Sequence, residues 1–101
     1  MQDLTQQDLL RSFTHNQNKA FSNVLSTAVD NELTNRSDYQ IGYNNRSGYV
    51  WMWFEDINVT VVAPDYDPSN VMFYVMNYED GNEYEYETLE EAEAANKAIN
   101  V

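Results

Sequence analysis

The chain has no cysteine. Disulfides, thiol nucleophiles and thiolate metal sites are excluded, and a reducing, cytoplasmic setting is the expected one. Cations are nearly as scarce: five Lys and Arg stand against seventeen Asp and Glu, a formal net charge of −12. Direct binding of nucleic acid or of an anionic lipid surface is therefore not expected. No apolar run reaches the ~18 residues of a membrane helix, and the opening residues lack a basic segment followed by an apolar one. There is one histidine, His15. It lies in a polar stretch with no evident nucleophile to activate, so it reads as an exposed helix residue.

What is present is a modest core. Of 101 residues, 43% are apolar and 14% aromatic, too many for a disordered acidic tail and enough for one domain. The first third carries a helical stripe: Leu9, Leu10, Phe13, Ala20, Phe21, Val24, Leu25, Ala28 and Val29 recur at spacings of three, four and seven. Thr5 is placed to cap it, with Asp8 as the capping-box acid. The expected helix runs from about Gln6 to Glu32, with a break near 15–18 left open, and Thr34 to Ser37 ends it.

From Asp38 the period changes to two. Tyr39, Ile41 and Tyr43 alternate with polar residues, Asn44 to Gly48 reads as a hairpin turn, and Tyr49 to Phe54 is apolar on both faces. Glu55-Asp56 is either a bulge in one long strand or a tight turn between two. Ala63 to Asn70 reads as a loop, because Pro64 and Pro68 forbid a central strand. Val71 to Tyr78 is a further strand, Asp80-Gly81 marks a second hairpin, and Glu83 to Glu87 alternates acid with tyrosine. Thr88 caps a last helix, Leu89 to Ile99. The expected fold is a single α+β domain over residues 1–101. An N-terminal helix packs on a four- to five-stranded antiparallel sheet, with a short C-terminal helix.

The charge is unevenly distributed. Residues 1–54 hold five acids and four bases, whereas residues 55–101 hold twelve acids and one base. Glu79, Asp80, Glu83, Glu85, Glu87, Glu90, Glu91 and Glu93 form the densest run, and Asp65 and Asp67 on the proline loop extend it. Alternate strand residues lie roughly 6.8 Å apart on one face, so Glu83, Glu85 and Glu87 are expected in a row, about every second phosphate of a nucleic-acid strand. Carboxylates accept bidentate pairs from arginine, as phosphates do. A solvated face that only keeps the chain soluble is the plainer explanation of such acidity, but it predicts an even spread.

Other constellations are weaker. Glu55 and Asp56, beside Trp53 and Phe54, are the acids with an apolar setting that acid–base chemistry on a glycoside would need. Asp65-Tyr66-Asp67-Pro68-Ser69 begins like a calcium loop but has Asn70 where glycine belongs and Met76 where glutamate belongs. Tyr39, Tyr43, Tyr49, Trp51 and Trp53 share one parity on adjacent strands. They are read chiefly as core under the helix, and otherwise as an exposed aromatic platform for a partner.

The expectation is a non-enzymatic acidic protein, without cofactor or metal, acting as a monomer or homodimer. It would bind and inhibit a cationic nucleic-acid-handling protein through Glu79, Asp80, Glu83, Glu85, Glu87, Glu90, Glu91, Glu93, Asp65 and Asp67. In size and charge alone, with no shared motif, it resembles the DNA-mimic inhibitors and immunity proteins of phages and mobile elements. The alternatives are an assembly protein self-associating through its sheet edge or aromatic face, and a carbohydrate binder or small enzyme.

Overall fold

The computed structural model describes residues 11–100. The expected cap at Thr5 and the stripe positions Leu9 and Leu10 lie outside them. Helix α1 (His15–Asp30) is followed by one further helical turn, α2 (Leu33–Arg36). Five strands come next: β1 (Tyr39–Asn44), β2 (Tyr49–Phe54), β3 (Val59–Pro64), β4 (Met72–Met76) and β5 (Glu83–Tyr86). Helix α3 (Leu89–Ile99) closes the described chain. The strands form one antiparallel meander in the order β1-β2-β3-β4-β5. This is the α+β arrangement expected from the periodicities.

The break in the first helix falls at Phe13–Thr14, just ahead of the polar stretch. Thr14 is an N-cap. Its hydroxyl accepts from the Gln17 N–H at 3.3 Å, and the Gln17 side chain accepts from the Thr14 N–H at 2.9 Å. The residues with low helix propensity therefore occupy a cap and a first turn, where that propensity matters little. At the other end the helix stops at Asp30, two residues earlier than expected, and Glu32 takes a left-handed conformation (φ 59°) before the extra turn of α2.

Glu55-Asp56 is a turn. Glu55–Ile57 form a single 3-10 turn, and Asn58 reverses the chain with φ 52°. Pro64 corrects the expected loop boundary, since it is the last residue of β3 and fully buried. The reason lies in the ladders. The Asp65 N–H donates to the Gly48 carbonyl, so by antiparallel alternation the nitrogen of Pro64 points toward β4. The β3–β4 pairing covers only Thr60 to Val62, and no acceptor waits there for the N–H that proline lacks.

The main core cluster lies on one face of the sheet. Val50, Met52 and Phe54 of β2, Val59, Val61 and Ala63 of β3, and Phe73 and Val75 of β4 pack with Ala20, Val24 and Ala28 of α1, Leu33 and Ala92. Helix α1 lies over β2 and β3, and α3 over β4 and β5. Alanines and a valine along α1 let it sit close to the sheet.

Asn58 ties the far end of this layer together. Its side-chain amide donates to the Met76 carbonyl (2.8 Å) and to Asn96 Oδ1 (3.0 Å), while Asn96 donates to the Ile57 carbonyl and Asn100 to the same two acceptors. The Asn58 side-chain oxygen, Oδ1, is buried without a partner among the described residues. Truncating the side chain therefore loses two amide bonds, each still replaced at the acceptor by Asn100, and relieves one unsatisfied oxygen. The left-handed backbone then decides between substitutions. Asn58→Ala is expected to be about 1 kcal/mol less stable than Asn58→Gly, because a Cβ at positive φ costs roughly that much. Equal urea midpoints for the two variants would show that no strain is held at this turn.

Candidate functional site

The hairpin turns set which side chains face away from the helices. Asn45–Gly48 and Glu55–Asn58 are both four-residue connections, so each joins an even-numbered residue to an odd one across the ladder. Tyr43 pairs with Val50 and Tyr39 with Phe54, which puts both tyrosines on the core face. Tyr49, Trp51 and Trp53 point the other way. The five aromatics expected to share a face are thus split two and three, and the reading of all five as core is corrected for the three on β2.

No helix of the described residues lies on this second face. Across the sheet it presents Gln40, Gly42 and Asn44 of β1, then Tyr49, Trp51 and Trp53, then Thr60, Val62 and Pro64. Met72, Tyr74 and Met76 of β4 and Glu83 and Glu85 of β5 follow. The centre is an open concavity of about 350 Å³ floored by Trp51, Trp53, Val62, Tyr74 and Met76, with Asn44 and Glu83 on its rim. Val62 is only 4% exposed, flanked in the ladder by Trp51 on one side and Met72 on the other. The indole of Trp51 lies across Gly42, where a Cβ would fall inside the ring. The only residue without a side chain on this strand thus makes room for the largest one on the next.

Tyrosines connect this floor to the acids. Tyr49 and Tyr74 meet edge to face at 6.4 Å between ring centres, and the Tyr74 hydroxyl donates to Glu85 at 3.2 Å. Burial pushes the Tyr74 phenol well above its ordinary range, with the Tyr49 hydroxyl and the Glu85 charge adding to the effect. Tyr66, largely exposed, is raised first by the neighbouring Tyr49 hydroxyl and further by the charges of Asp65 and Asp67. On the helix side Tyr43 donates to Asp65 at 2.8 Å, and that bond is the main reason its phenol is also raised.

The ten acids singled out in the sequence are not brought into one array. Glu83 and Glu85 project from β5 onto the aromatic face. Glu79 and Asp80 lie in the β4–β5 turn, and Asp80 accepts from the Asn82 N–H and the Tyr84 hydroxyl. Glu87, Glu90 and Glu91 surround the corner into α3, where Glu91 accepts from Thr88. Glu93 faces Arg36 in an ion pair at 2.5 Å. Asp65 is held by Tyr43, and Asp67 accepts from Ser69 at 3.5 Å in the loop leading to β4. Glu79, Glu83, Glu87 and Glu90 have no side-chain partner among the described residues.

No group of three or more acidic, histidine or cysteine side chains is arranged to hold a metal ion among the described residues. Glu55 and Asp56 are exposed, so neither has the apolar surroundings that acid–base chemistry would require. His15 is the exposed first residue of α1. No helix among the described residues is long and apolar enough to cross a membrane.

Reading residues 49–53 as a platform needed only the length of the preceding turn: an even loop reverses parity between strands. Tyr74 and Met76 depend on the β3–β4 register, which follows a long proline loop and leaves no such signal. Comparison with protein-family models, with curated proteins and with solved structures finds no match for this chain.

Proposed function

We propose that the protein binds and inhibits a cationic nucleic-acid-handling protein, using the uncovered aromatic face of its sheet as the contact surface. The observation that carries this reading is the combination on that face. Among the described residues, Trp51, Trp53, Tyr49 and Tyr74 have no helix over them, and Glu83 beside them has no side-chain partner. Aromatic faces attract arginine and lysine side chains, more strongly once water is excluded. Carboxylates at the edge accept their donors in the geometry of a phosphate. The acidic half of the chain steers a basic protein toward this surface, and the buried aromatics hold it there. Mimicry of a phosphate backbone is then carried by Glu83 and Glu85 together with the β4–β5 turn. It does not require all ten acids.

The test is capture from a bacterial lysate at low salt, elution with rising salt, and competition by duplex DNA. A DNA-competed partner is expected. Its affinity should fall more than tenfold, over ~1.4 kcal/mol, in Glu83→Lys/Glu85→Lys. The same charge change on the helix side, Asp30→Lys/Glu32→Lys, should have little effect. Equal losses in both double variants would reduce the interaction to net charge and reject the assigned surface.

A further inference from the structure

The two edges of the sheet differ in kind. β5 exposes Glu83 and Glu85, and like charges there oppose pairing with another copy of itself. β1 (Tyr39–Asn44) contains no charge, no proline and no bulge, and it pairs with β2 without interruption over all six residues. Nothing among the described residues pairs with its outer side. The Glu55 N–H donates to the Asp38 carbonyl. By alternation, Gln40, Gly42 and Asn44 turn their backbone groups inward to β2, and Tyr39, Ile41 and Tyr43 turn theirs outward. Natural edges are commonly blocked by the devices this strand lacks.

We propose that β1 pairs with β1 of a second copy of this chain, antiparallel about a two-fold axis at Ile41, to give a ten-stranded sheet. In that register Ile41 faces its own counterpart, Tyr39 faces Tyr43, and the outward groups of the three residues form six inter-chain hydrogen bonds. Asp38 of each copy comes alongside the Asn44–Arg46 turn of the other. The side chains of Asp38 and Arg46 are exposed and have no partner among the described residues. The contact is thus self-complementary in charge as well as in backbone, as an isologous interface must be. Repulsion does not prevent it. Four inter-strand steps of ~4.8 Å place β5 about 19 Å from β1, more than two Debye lengths of ~8 Å at physiological salt. The aromatic faces of the two copies become continuous, with α1 and α3 of both on the opposite side.

This inference is independent of the proposed partner, and the absence of cysteine makes it directly testable. Sedimentation of the unaltered chain at physiological salt should give twice the 11.8 kDa chain mass at high protein concentration. Hydrogen-bonded antiparallel neighbours have Cα atoms about 5.5 Å apart, inside the range a disulfide spans. Ile41→Cys is therefore expected to convert nearly completely to a linked dimer on mild oxidation, and Glu85→Cys only in trace. An equimolar mixture of Tyr39→Cys and Tyr43→Cys should link chiefly as the heterodimer, which fixes the register. A chain that sediments as a monomer at every concentration overturns the proposal, and so does linkage at position 85 that matches position 41.

Discussion

Truncating Phe54 to alanine is expected to remove about 3–5 kcal/mol of stability, while the same change at its neighbour Trp53 removes only about 1. Both residues are large aromatics in one apolar run. They differ in the side of the sheet they occupy. Phe54 is fully buried in the core cluster, with the Tyr39 ring 5.6 Å away, and its loss leaves a cavity that a close-packed layer of alanines and valines cannot refill. A loss of that size is a large part of the ~5–15 kcal/mol that holds a domain of this length together. Trp53 lies on the opposite face, half-buried and outside the main core cluster, and its removal leaves that cluster intact. Its expected cost appears in partner binding, at roughly thirtyfold, the scale of an aromatic interface anchor worth ~2 kcal/mol. Urea unfolding followed by circular dichroism measures the first quantity. The chain's two tryptophans both sit on the face opposite α1 and α3, so intrinsic fluorescence and its quenching by acrylamide report the second surface directly. Similar stability losses for the two variants would mean that the face is covered and belongs to the core.

Adjacent residues with opposite consequences are what period-two structure produces, and the run Tyr49 to Phe54 shows how far sequence alone reaches. Its apolar character on both faces was visible, and so was the presence of strands on either side. Which face met the helix was not, because Tyr39, Tyr43, Tyr49, Trp51 and Trp53 all carry odd numbers and parity alone groups them. The grouping fails because a four-residue turn pairs odd with even. The last helix was legible to the residue, since Thr88 and the glutamates after it are local signals with a local mechanism. The break in the first helix was legible only in kind. Thr14 and Gln17 cap each other, and that reciprocal pair was masked by the weak helix formers around it. Pro64 misled for a different reason: the rule against proline in a central strand applies where a ladder needs the N–H, and at Pro64 the neighbouring strand has already ended.

The acids show the same division between composition and placement. Their concentration after residue 55 is a property of the sequence, and the partner it points to follows from charge. Where they stand depends on tertiary structure. Arg36, from the neutral half of the chain, pairs with Glu93, and Tyr43, from β1, fixes Asp65. These pairings span 57 and 22 residues, separations over which no local pattern carries information. They also sort the acids. Glu93 and Asp65 are engaged by Arg36 and by Tyr43 on the helix side, whereas Glu83 has no side-chain partner among the described residues and Glu85 accepts only from the Tyr74 hydroxyl beside it.

Gly42→Val is expected to weaken both the fold and the proposed contact surface. Valine is a favourable strand residue, so propensity alone predicts a gain in place of glycine. Sterics override it here. The backbone at Gly42 needs no positive φ, but a Cβ would stand inside the indole of Trp51. The ring must leave the floor of the concavity or the two strands must separate. Overpacking of this kind costs about 1–3 kcal/mol, more than the ~1 kcal/mol that strand propensity returns. If the indole moves, the tryptophan emission shifts and becomes easier to quench, and partner affinity falls even where the urea midpoint shifts little. Trp51→Leu in the same chain should then restore stability to Gly42→Val, since the smaller side chain vacates the space that the valine needs, but it should not restore binding, because the aromatic floor is gone. A Gly42→Val chain as stable as the original, with unchanged fluorescence, would show that Trp51 does not rest on Gly42 and that the floor of the site is built differently.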